Sequence, residues 1–244
     1  MTGRWAPSPT GEFHLGNLRT ALLAWLFARS ENTRLLWRFE DLDGAVRNDF
    51  YDSQIRDFQR IGLNWDGEIF HQSERLGLYQ DGIEDLVQQG LTYRCWCTRR
   101  EIREAALAPH SHLPEGVYSG KCRHLTAKEI SENERSGRNP ALRLISEGQL
   151  IRIQDRQLGD FEGAVDDFVL CRGDQTPSYN LTVVIDDADM GVTEVVRGDD
   201  LLPSTPRQVH LFHLFGLQPP RYAHVPLVLA QSGDRLAKRD GAVT

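Results

Sequence analysis

Arg4-Trp5-Ala6-Pro7-Ser8-Pro9-Thr10-Gly11, followed closely by His14-Leu15-Gly16-Asn17, is the segment whose residue types and spacing carry the most chemistry. A short strand over Arg4 to Ala6, a proline-stiffened loop and a helix opening near His14 would aim backbone N–H groups and a helix dipole at one point. Phosphate binds to such an arrangement. His14 stands at the helix mouth, and Gly16 lets a flat ring come close to the backbone. Alone, a His-x-Gly is a short motif that most often only caps a helix. A second segment near the far end, Arg235-Leu236-Ala237-Lys238-Arg239-Asp240-Gly241, supplies a lysine able to neutralise phosphate charge. Cys95-x-Cys97 with Cys122 is a third constellation. Thiolates bind zinc tetrahedrally, and three of them need a fourth ligand, for which His124, His110 and His112 are the chemical candidates. Scattered core thiols are the competing reading, because Cys-x-Cys is a tight bite. Cys171, in the apolar run from Asp167, reads as a buried inert thiol.

The elements that must position these residues follow from periodicity. Leu15, Leu18, Leu22, Trp25, Leu26 and Arg29 recur at helical spacing and predict a helix from His14 with this stripe inward. Arg34 to Phe39 predicts a parallel strand with the carboxylates Glu40 to Asp43 at its tip. Helices are expected over Asp49 to Ile61, closed by Gly62, and through Tyr79, Ile83, Leu86 and Val87 to Gly90. Such alternation suggests a doubly wound parallel sheet, with Arg4, Glu40 and the His14 loop converging at the carboxyl ends of its strands. Between residues 91 and 165 the pattern changes to two short helices opened by capping boxes, Thr98-x-x-Glu101 and Thr126-x-x-Glu129, and strands over Ala141 to Ile145 and Leu150 to Gln154. This division gives a first half over 1–90, an α+β insert over 91–165 and a second half over 166–244. In the second half, strands are expected at Val183 to Ile185, Thr193 to Val196 and His224 to Leu229, with a helix from Thr205-Pro206 to Gly216.

Hydrophobic content of 40% and charged content of 26% over 244 residues are those of a globular protein. No apolar run reaches the length that spans a bilayer, and no signal-peptide core opens the chain, so a cytoplasmic protein with no membrane partner is expected. A net charge of −7 opposes nucleic-acid binding on average. A local basic face built from Arg99-Arg100 with Arg103 and from Lys121 and Arg123 is compatible with it.

Together, the His14 and Lys238 segments resemble the two signature motifs of class I aminoacyl-tRNA synthetases. Arg38-Phe39-Glu40-Asp41-Leu42-Asp43, Tyr179-Asn180-Leu181 and Val196-Arg197-Gly198-Asp199-Asp200, with the Arg4 and Leu236 segments, resemble the glutamyl members along the whole chain. The resemblance implies a Rossmann-like fold with a smaller zinc-bearing insert, and ATP-dependent activation of L-glutamate as its adenylate. It implies His14 and Lys238 as catalytic residues, and Arg4, Ala6, Ser8, Glu40, Tyr179 and Arg197 as the glutamate pocket. Pro7, Ser8, His14, Gly16, Asn17 and Lys238 would hold ATP, accompanied by Mg²⁺. One structural Zn²⁺ would be bound by Cys95, Cys97, Cys122 and Tyr118, with His124 in reserve. Asn17 replaces the family's second histidine and Ala237 its usual serine. The chemistry fits independently: glutamate offers two carboxylates and an ammonium, so its site needs a guanidinium and a carboxylate.

Thr244 lies only six residues after Lys238, whereas full-length glutamyl enzymes continue into helical anticodon-reading domains. That resemblance favours the short members, which transfer glutamate to queuosine in the anticodon of tRNA(Asp). The expected partner is therefore the queuosine-bearing anticodon stem-loop of tRNA(Asp), met by a monomer. A catalytic fragment of an enzyme charging tRNA(Glu) is the alternative. A small-molecule adenylyltransferase would not need the Cys/Tyr insert or the Arg4, Glu40, Tyr179 and Arg197 set. A non-catalytic zinc-bearing RNA-binding module would need neither His14 nor Lys238.

Overall fold

The computed structural model describes residues 1–106 and 118–229. In chain order its elements are β1 (Thr2–Trp5), α1 (Leu15–Ser30), β2 (Arg34–Phe39), α2 (Asp49–Arg60), β3 (Ile69–His71), α3 (Leu76–Gln88), β4 (Thr92–Cys95) and α4 (Arg99–Ala106). After them come α5 (Ala127–Arg135), β5 (Ala141–Leu144), β6 (Leu150–Asp155), β7 (Gly159–Ala164), β8 (Val169–Cys171), α6 (Tyr179–Asp189), β9 (Glu194–Gly198), α7 (Thr205–Leu214) and β10 (Arg221–Val225).

The centre is α/β and Rossmann-like. Strands β1, β2 and β3 form a parallel sheet in that order, and β9 pairs in parallel with β10. The two groups lie edge to edge, since the Thr193 N–H donates to Thr2 O at 2.8 Å beside β1. Chain connections therefore leave β1 in opposite directions, and the crevice above β1 and β9 is the place where such sheets bind ligands. The strands are buried on both faces, as parallel strands between helical layers must be. Leu35, Trp37 and Phe39 of β2 join a core with Ala21, Ala24 and Ala28 of α1 and Phe58 of α2. On the other face Val195 and Tyr222 join Leu181, Val183, Val209 and Leu211 of α6 and α7.

Beside this centre, β4, β5 and β8 form an antiparallel sheet, and β6 and β7 a hairpin in register from Leu150↔Ala164 to Asp155↔Gly159. Both predicted capping boxes are present: Thr98 Oγ1 accepts from Glu101 N at 3.1 Å, and Thr126 Oγ1 from Glu129 N at 3.3 Å.

Three expectations are corrected. The stripe of α1 read as inward is largely outward: Leu15, Leu22 and Leu26 are 47%, 40% and 44% exposed, while Ala21, Ala24 and Ala28 are buried. Small residues let the helix approach the strands closely, and a Cβ on Gly3 of β1 would already meet Ala28 Cβ at 3.8 Å. Val183 to Ile185 lie inside helix α6, not in a strand. Their β-branched side chains suit a strand, but the turn after them carries Asp186 and Asp187 to buried arginines, and tertiary contacts override propensity. The final strand is β10, ending at Val225 rather than beginning at His224.

Candidate active site

A cleft of about 370 Å³ opens at the carboxyl ends of β1 and β9. Arg4, Ala6, Ser8, His14, Gly16 and Asn17 line one side, and Glu40, Tyr179 and Arg197 line another. The structure thus brings together nine of the eleven expected glutamate-pocket and nucleotide residues. Pro7 is buried behind the lining, where its carbonyl accepts the Glu40 N–H at 2.9 Å. Lys238 and its flanking motif lie outside the described residues.

The loop from Pro7 to Gly11 is held from below. Gln54 of α2, buried, donates from Nε2 to Ser8 O at 3.1 Å and to Gly11 O at 2.7 Å. At the loop's end His14 is the N-cap of α1. Its Nδ1 accepts from the N–H groups of Gly16 at 3.0 Å and Asn17 at 3.4 Å. Asn17 Oδ1 returns a bond by accepting the His14 N–H at 3.2 Å, closing a capping box. With Nδ1 an acceptor, a neutral His14 carries its proton on Nε2 as a donor. The ring that approaches Gly16 is that of His14 itself: a Cβ there would meet its Cε1 at 2.9 Å.

Arg4 and Glu40 sit on a buried charge network that the sequence reading did not include. Arg38 of β2, fully buried, pairs from Nη1 with Asp187 at 2.7 Å, from Nε with Asp186 at 3.4 Å and from Nη2 with Glu40 at 3.2 Å. Burial works against its charge, yet the three carboxylates raise its pKa above the ordinary arginine value. Asp187 lies 3.5 Å from Nε of Arg4 as well. Asp186 in turn accepts from Gln72, Arg75 and Tyr79 at 2.7 to 2.9 Å. Burial pushes the Glu40 carboxyl above its usual range, while Arg38 and Arg4 draw it back. Buried charges persist only when paired in this way. The signal in the sequence was the run Asp186-Asp187-x-Asp189 after three apolar residues, hidden by the strand reading.

Arg197 closes the far wall. Its Nη2 donates to Thr205 Oγ1 at 2.8 Å, its Nη1 faces Tyr179 Oη at 3.5 Å, and its Nε donates to His224 Nε2 at 3.1 Å. Gly198 lies close beside it: a Cβ there would meet Asp200 Oδ1 at 2.5 Å and Leu227 Cδ2 at 2.9 Å, so both side chains would have to shift. Two guanidinium groups, the carboxylates of Glu40 and Asp200 and a helix N-terminus around one cavity suit an amino acid that carries both charges next to a phosphate chain.

The thiol cluster is distinct. The Sγ atoms of Cys95, Cys97 and Cys122 all lie within 4.8 Å of one another, and Cys97 Sγ is 3.5 Å from Cys122 Sγ. Tyr118 Oη stands 3.4 Å from Cys95 Sγ and 3.5 Å from Cys97 Sγ, and accepts the Cys122 N–H at 2.8 Å. A tetrahedral zinc with bonds of about 2.3 Å to sulfur has ligand–ligand edges of roughly 3.8 Å, so this set fits the ion. Burial and neighbouring thiols push Cys97 up to about 12, a cost that a shared cation removes. His124 is exposed and outside the group, and His110 and His112 lie outside the described residues. Cys171 is buried, and burial raises its thiol pKa.

The sequence matches the family described as tRNA synthetases class I (E and Q), catalytic domain, over residues 1–244. It is 57% identical to a glutamyl-Q tRNA(Asp) synthetase of Nocardia farcinica and 47% identical to one of Deinococcus radiodurans. Each match covers 99% of this chain, and 77% and 81% of the respective relatives. A glutamate–tRNA ligase of Aquifex aeolicus is 39% identical over 99% of this chain and 52% of its own length. The solved glutamate tRNA ligase of Elizabethkingia meningosepticum, in complex with its amino acid, superposes with a TM-score of 0.83 at 29% identity, covering 98% of this chain and 52% of that one. This chain spans about half the length of the solved ligases it matches.

Proposed function

Because this chain belongs to the family of class I tRNA synthetase catalytic domains for glutamate and glutamine, we propose that it activates glutamate with ATP and transfers it to queuosine in the anticodon of tRNA(Asp). The observation that carries the activation step is the cleft itself, with Arg4 and Arg197 as cations, Glu40 as an anion and the α1 N-terminus beside them. Glutamate's ammonium goes to Glu40 and its carboxylates to the guanidinium groups. One carboxylate oxygen attacks the α-phosphorus of ATP; the new O–P bond forms as the α–β phosphoanhydride breaks and pyrophosphate leaves. A hydroxyl of the acceptor nucleoside then attacks the activated carbonyl, AMP departs with the C–O bond electrons, and the hydroxyl proton passes to a phosphate oxygen of the leaving AMP. His14 donates to phosphate oxygens as charge shifts onto them, and Lys238 neutralises the leaving pyrophosphate. Mg²⁺ accompanies the nucleotide and screens its charge. Ala6 and Ser8 complete the glutamate pocket, and Pro7, Ser8, Gly16 and Asn17 the nucleotide side.

The queuosine acceptor is supported by the greater similarity to glutamyl-Q relatives, 57% identity against 39% for the Aquifex ligase. Cys95, Cys97, Tyr118 and Cys122 hold one structural zinc that organises the 91–165 insert between the 1–90 and 166–244 halves. A cytoplasmic monomer belongs to the same reading. The test is incubation with labelled glutamate, ATP and tRNA, followed by hydrolysis of the RNA. Label on the anticodon nucleoside of queuosine-containing tRNA(Asp), and none on queuosine-deficient tRNA(Asp), is the expected result. Label on the 3′-terminal adenosine of tRNA(Glu) would overturn it in favour of ordinary tRNA charging.

A further inference from the structure

Arg197 is gripped on its inner side by a relay that begins in another part of the chain. Asp155 ends β6 at the turn of the β6–β7 hairpin, and it is buried. Its Oδ1 accepts the N–H groups of Gln157 at 2.9 Å and Leu158 at 3.0 Å. Its Oδ2 lies 2.6 Å from Nδ1 of His224, which has no exposed surface. His224 is the register partner of Arg197 across β9 and β10, and its Nε2 receives the Arg197 Nε–H.

Chemistry dictates where the protons sit. An ionised carboxylate only accepts, so Nδ1 of His224 must donate to Asp155. A guanidinium only donates, so Nε2 must carry a lone pair toward Arg197. The neutral Nδ1–H tautomer is the one state that satisfies both neighbours. Burial and the charge of Arg197 hold the His224 pKa below its ordinary value, in keeping with that state. Although burial opposes it, the bonds from His224, Gln157 and Leu158 hold the Asp155 carboxyl below its own. With Nε and Nη2 of Arg197 committed to His224 and Thr205, only the Nη1 edge remains directed at Tyr179 and the cleft.

We infer that Asp155 and His224 are positioning residues for glutamate: by fixing one imidazole tautomer they lock the Arg197 fork with a single edge toward the substrate carboxylate. This rests on the assignment of the cleft to glutamate. Neither residue touches the cleft, and neither bears on the nucleotide side.

The decisive variant is Asp155→Asn, which is nearly isosteric. Its Oδ1 can keep the turn, but its amide must donate to Nδ1, so the ring proton moves to Nε2 and faces the Arg197 Nε–H. In glutamate-dependent ATP–pyrophosphate exchange, KM for glutamate should rise roughly tenfold or more, as when other supporting partners are lost, with KM for ATP unchanged. His224→Ala should behave likewise. His224→Gln, whose amide can accept from Arg197 and donate to Asp155, should restore most of the affinity. Imidazole ¹⁵N shifts of the unaltered chain should show protonated Nδ1 and bare Nε2 at His224. A wild-type glutamate KM in folded Asp155→Asn and His224→Ala would overturn the inference. So would a loss of kcat with KM untouched, which is the mark of a merely structural role, or a protonated Nε2 in the unaltered chain. Absence of exchange in the unaltered chain would instead remove the glutamate assignment, leaving the ¹⁵N result to judge the relay.

Discussion

At the scale of single residues, the site is built from side chains whose second partners fix their first. His14 spends its Nδ1 on the turn that opens α1, which leaves Nε2 as the proton-bearing atom. Replacing it by Ala should slow glutamate-dependent exchange by roughly 10²-fold or more, the loss typical of one transition-state donor; an unchanged rate would remove His14 from the reaction. Lys238→Ala should do the same. Glu40 makes a different prediction. Its anion is the form that accepts an ammonium, and burial raises its pKa above the ordinary value. Acidification therefore protonates it earlier than a free glutamate side chain. KM for glutamate should climb as pH falls toward that raised pKa, from a plateau at higher pH. In Glu40→Gln this acid limb should vanish and KM should be high throughout. An acid limb that persists in the variant would assign the titration to another group.

At the scale of elements, α1 tests which face holds the fold. Ala24→Leu should force the helix off the strands and cost about 1–3 kcal/mol, as overpacking does. Leu22→Ala, on the exposed side, should change stability by no more than about 0.5 kcal/mol. Thermal melts of the two variants decide between the faces. The same helix marks what could and could not be read in advance. Its start at His14 was legible because capping and loop chemistry are local, and so were β2 with Glu40 at its tip and both capping boxes. The inward face was not, because leucines dominate any periodicity count while alanines decide how closely helix and strand can approach. Asp186 and Asp187 were illegible for a related reason: their role exists only once Arg38, six strands and many residues away in sequence, is buried beneath them. His224 was read as the start of a strand, and nothing local discloses that its ring completes a chain from Asp155 to Arg197.

At the scale of the whole molecule, the parts are tied at two distant points. The thiol cluster gathers β4 and the turn around Cys122, and the β6–β7 hairpin reaches back to β10, where Arg156 N donates to Tyr222 O at 2.9 Å. Purified protein should carry about one zinc, and Cys97→Ser should lose it and lower the melting temperature, since metal affinity is folding free energy. Metal analysis of protein prepared without chelators checks this, and zinc-free wild-type protein would discard it. Retention of zinc in Tyr118→Phe would exclude the phenol as the fourth ligand. The alanine seam has a consequence at this scale too. The thickness of the layer between α1 and the strands sets how far the positive end of the helix stands from the strand tips that carry Arg4 and Arg197. Three methyl groups thus act as a spacer gauge. A bulkier seam would retract the helix's electric field from the cleft, and His14 and Asn17 with it, while leaving Arg4, Glu40 and Arg197 at their strand tips.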